Sequence, residues 1–151
     1  LNCMNIKKLI NIDDLVARYG IGDAAKKCYV SVHALRLYEA EGLILTERTP
    51  SGRRLYGELE IKKITAIRQM VQEGLNFEGI RRLIALVPCW KIKSCDSEEG
   101  KNCFANRIMN RPCWATQTKC KHPLPSCREC PVYQELIEYT DILHHIKEGY
   151  K

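Results

Sequence analysis

Hydrophobic positions recur at helical spacing in separate blocks along the chain. In residues 57–73, Leu59, Ile61, Ile64, Ile67, Met70 and Val71 repeat near the 3.6-residue period, and Gly74 ends the run. Asn76 stands where a cap is needed for the next block, residues 77–87, whose apolar face is Ile80, Leu83, Ile84 and Val87. Pro88 closes it, because the residue before a proline is driven out of the α region. Lys62, Lys63, Arg81 and Arg82 read as solvated faces of these two helices. Upstream, residues 21–28 form a short helix, with Ala24 and Ala25 small enough for close packing. Ser31 caps the helix after it, on which Val32, Leu35 and Tyr38 share the buried spacing while His33, Ala34, Arg36 and Leu37 take other faces. Gly42 ends that helix. Leu43 and Ile44 then lead into Arg48-Thr49-Pro50-Ser51-Gly52-Arg53-Arg54, a basic hairpin turn marked by Pro-Ser-Gly. Asn11 or Asp13 caps a turn through Leu15 and Val16 in an N-terminal arm. The period returns over residues 132–150. There Val132, Leu136, Tyr139, Leu143, Ile146 and Tyr150 alternate by four and three, the seam of a short two-helix dimer contact.

Helix, turn, helix and then a basic hairpin is one way to set a helix in a DNA major groove and arginines on the flanking phosphates. The expected fold is therefore mainly α. It has an N-terminal arm (1–18), a winged helix-turn-helix DNA-binding domain (19–88), a Cys-rich metal or redox segment (89–131) and a dimerisation helix (132–151).

The pattern stops between residues 88 and 131. Seven of the nine cysteines fall there: Cys89, Cys95, Cys103, Cys113, Cys120, Cys127 and Cys130. The stretch repeats loosely, since both halves open on Pro-Cys-Trp. A segment of this length without core residues needs something else to order it, and bound metal is the economical answer. Cys113, Cys120, Cys127 and Cys130 make one four-thiolate set. Cys89, Cys95 and Cys103 make three-quarters of another, to be completed by Cys28, His122 or a partner chain. Only Cys127-Arg128-Glu129-Cys130 has the short knuckle spacing common in zinc sites; the neighbouring pairs are separated by five to seven residues. Cys130 precedes Pro131, as the last ligand of some iron–sulfur runs precedes a proline. We favour an iron–sulfur cluster over structural Zn2+. Haem on the Cys-Pro dipeptide and a metal-free thiol loop are the other readings.

Composition narrows the class. Hydrophobic residues at 45% and charged residues at 28% make a globular balance rather than a disordered one. A net charge of +6 suits a polyanionic partner. No apolar run has the length of a membrane span, and no charged-then-apolar leader is present, so no membrane association and a cytoplasmic location are expected. In a reducing compartment, clustered thiols argue for metal or redox chemistry before disulfides.

Several short motifs, in order, carry a resemblance. They are Ile21-Gly22-Asp23-Ala24-Ala25, Val30-Ser31-Val32, Leu35-Arg36-Leu37-Tyr38-Glu39, Glu41-Gly42-Leu43, Arg48-Thr49, Gly52-Arg53-Arg54-Leu55-Tyr56 and Glu73-Gly74-Leu75-Asn76. Together they make residues 20–88 resemble the MerR family of bacterial transcription regulators. Gly74-Leu75-Asn76 with Gly79-Ile80-Arg81-Arg82 looks nearest the heat-shock-repressor-like branch. The resemblance implies a non-enzymatic, nucleoid-associated homodimer on double-stranded promoter DNA, working with RNA polymerase, and dimerising through a C-terminal helix. Here the cysteine stretch is inserted before that helix, and its spacing maps onto neither the redox-sensing branch nor the mercury and copper sensors.

Arg36 is the leading base or phosphate contact, since a guanidinium bonds guanine or phosphate in a bidentate manner. Ser31 and His33 share its helix. Arg53 and Arg54 are expected as backbone clamps on the wing. The resemblance adds Tyr38 and Tyr56 as phosphate-oxygen donors. The expected function is promoter binding controlled by a cysteine-ligated centre sensing redox state or oxygen. The alternatives are a constitutive regulator with structural zinc and a redox or electron-transfer component. The last has no flavin, nicotinamide or nucleotide loop to support it.

Overall fold

The computed structural model describes residues 11–87, 89–92, 98, 102–103, 110–116, 126–135 and 139–149. Residues 1–10 of the expected arm, and Cys95, Cys120, His122, Leu136 and Tyr150, lie outside the described residues.

Local chemistry sets the boundaries of the expected DNA-binding domain, called the reader below. After α1 (Ile12–Leu15) and β1 (Tyr19–Gly20), α2 (Ile21–Cys28) closes on Tyr29, whose backbone is left-handed at φ 54° and whose ring is 82% exposed beneath Arg68. Ser31 starts α3 (Val32–Ala40) by accepting from the Ala34 N–H at 3.0 Å. Asn76 does the same for α5 (Phe77–Ala85), accepting from Gly79 N–H at 2.8 Å. Between them lie β2 (Glu47–Arg48), β3 (Arg54–Tyr56) and α4 (Glu58–Gln72). Past α5 come α6 (Cys89–Ile92), two 3-10 turns at Cys113–Ala115 and Cys127–Glu129, then α7 (Pro131–Glu135) and α8 (Tyr139–Gly149).

The strands form an antiparallel sheet in the order β1-β3-β2, with Tyr19 opposite Tyr56, Gly20 opposite Leu55, Glu47 opposite Leu55 and Arg48 opposite Arg54. Pro50 and Gly52 make the β2–β3 turn. Gly52 takes φ +84°, open to glycine at little cost, and its N–H returns to the Thr49 carbonyl at 2.8 Å.

Among the described residues, the main core joins α2, α3, α4 and α5 to the segments after them. Ala24, Leu35, Tyr38, Ile64, Ile67, Met70, Ile80 and Ile84 are buried together with Val132 and Ile142 from α7 and α8, and Ile146 packs against them. Over the run expected at residues 132–150, the described residues are helical at Pro131–Glu135 and Tyr139–Gly149, and Val132 and Ile146 of the expected seam touch this core. Cys28, weighed above as a spare metal ligand, is 1% exposed, and its thiol donates to the Ile61 carbonyl at 3.7 Å. Burial raises its pKa, so it packs as a small apolar group.

The α4 stripe also departs from expectation. Val71 is exposed, whereas Glu60 and Lys63 join Leu59, Ile64, Ala66, Ile67 and Met70 inside. Lys63, read as solvated, is 3% exposed, with its ammonium over the rings of Tyr133 (4.2 Å) and Trp114 (5.5 Å). The reason is that α4 is covered on two sides, by the reader helices and by the cysteine segment. Burial pulls the Lys63 pKa from 10.5 to about 7, against the pull of Glu60 and Asp141. Between those values the folded chain leaves this amine neutral while the unfolded chain still binds its proton, so stability rises with pH across the window. Lys63→Met is expected to flatten that rise and to stabilise the fold at pH 7 by a few kcal/mol, on the order reported for replacing buried ionic groups with apolar ones. Urea midpoints of both proteins from pH 6.5 to 10.5 check it; parallel curves would contradict it.

Candidate nucleic-acid interface and cysteine turns

Helix α3 presents two faces. Leu35 and Tyr38 turn inward, Tyr38 meeting Phe77 edge-on at 5.6 Å, while Ser31, His33 and Arg36 are exposed on the other side. Lys26 and Lys27 are exposed on the preceding helix. The basic side chains are thereby gathered on the helix-turn-helix and the hairpin tip, where Arg53 is also exposed.

Two expected contacts sit differently. Tyr56 is 0% exposed, and its hydroxyl is sealed from solvent without a hydrogen-bond partner among the described residues; burial raises its pKa to about 12. Its hydroxyl faces the interior rather than a phosphate. Tyr38 is likewise held at 4% exposure by its packing. Arg54 is committed to Glu39 of α3, which also accepts from Arg48 at 3.0 Å and Thr46 at 3.1 Å. Burial alone would raise the Glu39 carboxyl, but these donors hold it below the usual range. Glu39 therefore ties both hairpin strands to α3, and Arg54 serves that tie rather than projecting freely as Arg53 does. Arg81 is similarly drawn in, pairing with Glu41 and Glu78.

The cysteine segment meets this unit through two short turns. At Cys113–Ala115, the Trp114 indole donates to the Gly42 carbonyl at 2.8 Å and its ring stands edge-on to Tyr133 at 5.0 Å. At Cys127–Glu129, Arg128 turns inward to 5% exposure. It donates from Nε to Glu60 Oε1 (2.8 Å) and from Nη2 to Glu60 Oε2 (2.8 Å) and the Leu15 carbonyl (3.0 Å), while Nη1 pairs with Glu47 of β2. Glu60 is 0% exposed and also accepts from the Gly57 N–H at 2.9 Å. Tyr133 completes the cluster: its hydroxyl accepts from Leu45 N–H at 2.9 Å, and burial holds it well above the ordinary phenol range.

Sequence reading missed Arg128, Glu60, Tyr133 and Trp114. A signal existed for Glu60, which lies four residues before Ile64 on the apolar stripe. A carboxylate at a core position calls for a buried cation.

Cys89, Cys113 and Cys130 pack half-buried against the common core, and Cys127 is exposed. Among the described residues, no three His, Cys, Asp or Glu side chains converge as metal ligands.

Residues 19–86 match the family described as MerR HTH family regulatory protein. Over 127 residues the chain is 32% identical to the HTH-type transcriptional regulator HmrR of Sinorhizobium medicae (strain WSM419), a match covering 77% of this chain and 84% of that one. The chain belongs to the MerR family. Another MerR relative, the heavy metal-dependent transcription regulator 1 of Rhizobium meliloti (strain 1021), is 32% identical over 133 residues, covering 80% of this chain and 88% of its own. The HTH-type transcriptional regulator ZntR of Escherichia coli (strain K12) is 32% identical over 83 residues, so the match spans 54% of this MerR chain and 59% of that relative.

Proposed function

We propose that this chain is a dimeric, promoter-binding transcription regulator in which α3 reads DNA, the β2–β3 hairpin is the wing, and the cysteine segment is the sensing element. The observation that carries it is the two-faced α3: Leu35 and Tyr38 anchor the helix while Ser31, His33 and Arg36 are left exposed, as Arg53 is on the hairpin. Arg36 supplies base or phosphate recognition, and Arg53 supplies a phosphate contact. Control through DNA deformation, rather than a separate domain movement, suits a reader fixed this firmly to its wing. The cytoplasmic location and the engagement of RNA polymerase belong to the same proposal.

Cys113, Cys120, Cys127 and Cys130 are the residues that would hold a metal centre, with Cys89, Cys95 and Cys103 as a second set. Such a centre would supply an electrophilic or redox-active core whose loss frees the thiolates. Iron–sulfur remains our first reading and zinc the alternative. The name of the Rhizobium meliloti relative, heavy metal-dependent, favours a metal-responsive role over the heat-shock-like placement suggested by residues 74–82.

The DNA reading is tested by selecting duplexes from a random library and measuring anisotropy against salt. Arg36→Ala should cost about 1–3 kcal/mol of binding and relax choice at one base pair. Arg53→Ala should weaken all sequences alike and lower the salt slope by about one. Wild-type binding by both variants would overturn the proposed interface. Brown colour with stoichiometric iron in anaerobically purified protein supports the cluster; colourless protein with stoichiometric zinc supports the alternative.

A further inference from the structure

The one short cysteine knuckle encloses an arginine that is 5% exposed. Arg128 follows Cys127 directly and precedes Cys130 by two residues. Its backbone is fixed on both sides: its N–H donates to Ser126 Oγ at 3.1 Å, and its carbonyl accepts from Gln134 Nε2 at 3.1 Å. The turn closes with the Cys130 N–H on the Cys127 carbonyl at 3.1 Å. A planar guanidinium held by two carboxylates and a carbonyl has little freedom to slide, unlike an ammonium in the same place.

What it holds is equally specific. Glu47 and Arg48 are adjacent on β2. Glu47 pairs with Arg128, and Arg48 pairs with Glu39 of α3. Glu39 stands three residues after Arg36 on the same helix. Two charge-assisted pairs, joined through the β2 backbone between Glu47 and Arg48, therefore run from the cysteine turn to the helix that carries Arg36.

We propose that Arg128 is a positioning residue that transmits the state of the Cys127–Cys130 turn to the wing and α3 through Glu47, Arg48 and Glu39. Any occupant that resets the separation of the two sulfurs must rotate the residues between them. The guanidinium fork follows, and β2 is pulled or released. This rests on the reading of the cysteine segment as the sensing element, and it says which contact carries the message. Glu60 anchors the fork to α4 in both states, so the moving contact is the solvent-facing one to Glu47, whose side chain is 52% exposed.

The test uses the full reduced chain and two probes, Zn2+ after chelator stripping and, separately, N-ethylmaleimide. Hydrogen exchange of the peptide spanning residues 44–56 is measured with and without each probe. In the wild type, an engaged probe is expected to change that exchange about threefold or more, within the usual range of energetic coupling. The change should vanish in the Cys127→Ser/Cys130→Ser double variant. It should fall to near onefold in Glu47→Gln, which leaves the Glu60 pair intact, and in Arg128→Lys, which keeps the charge without the fork. A purely structural Arg128 would shift the baseline of both states and leave their ratio alone. A ratio unchanged in both variants, or a wing that neither probe moves, would overturn the proposal. Zinc affinity is read separately by chelator competition. Tight zinc with an unmoved wing defeats the transmission and keeps the metal centre. Absent zinc binding with a wing moved by N-ethylmaleimide defeats the zinc reading and keeps the transmission.

Discussion

Arg128→Leu is expected to destabilise the chain by about 3–5 kcal/mol, because it strands a charge in the interior rather than merely deleting a contact. Glu60 is 0% exposed and loses both bonds of the fork, while the Leu15 carbonyl loses its donor. Glu47, more than half exposed, is rehydrated at little cost. Tyr133 and the Gly57 N–H remain on Glu60 without a charge, and the buried Lys63 amine, which Glu60 draws toward its protonated form, offsets only part of the loss. Urea unfolding under reducing conditions, followed by near- and far-ultraviolet dichroism, measures the loss. Adding Glu60→Leu removes the stranded charge, so the double variant should recover part of it, short of the wild type because the α4 cap is gone as well. A loss below about 1 kcal/mol in the single variant would mean that the pair is solvated after all.

The second large effect is expected at Gly42. Its backbone takes φ +73°, and a Cβ there would stand 2.5 Å from the Ala115 Cβ. Gly42→Ala combines left-handed strain with a clash against the Cys113–Ala115 turn, together about 2–4 kcal/mol. The two causes are separable. Ala115→Gly on the same chain removes the clash and leaves the strain, so the double variant should regain roughly half. Trp114 fluorescence in a Trp90→Phe background reports whether the indole still reaches the Gly42 carbonyl. An unchanged spectrum and midpoint in Gly42→Ala would show that this turn does not dock there.

Much of the reader was legible because its determinants are local. Ser31 and Asn76 cap helices as their side chains require, and the stripe of α5 needs only its own period. The Pro50–Gly52 turn fixes the hairpin for the same reason. The contacts that decide the rest span long separations. Arg128 meets Glu60 across 68 residues, and the Trp114 indole meets the Gly42 carbonyl across 72. No periodicity encodes such pairs. Lys63 shows the limit of reading charge as exposure: it lies four residues from both Leu59 and Ile67, on the buried stripe, yet its charge suggested solvent. Tyr56 was misplaced from the other side, since a ring that fills the core and a ring that offers its hydroxyl look alike in sequence. The exposure of His33, Arg36 and Arg53 was legible from helix faces and turn chemistry, because it follows from what their neighbours bury.

The reader and the segments after it share one interior, and this bears on how such a regulator can be recombined. A graft of residues 19–86 onto another effector segment would take Glu60 without Arg128, and Lys63 without the rings of Trp114 and Tyr133. Each would arrive as an ionisable group facing a foreign surface. The DNA-reading half of this chain is therefore not a transplantable cassette. Such a graft requires exchanging the Glu60 and Lys63 positions as well.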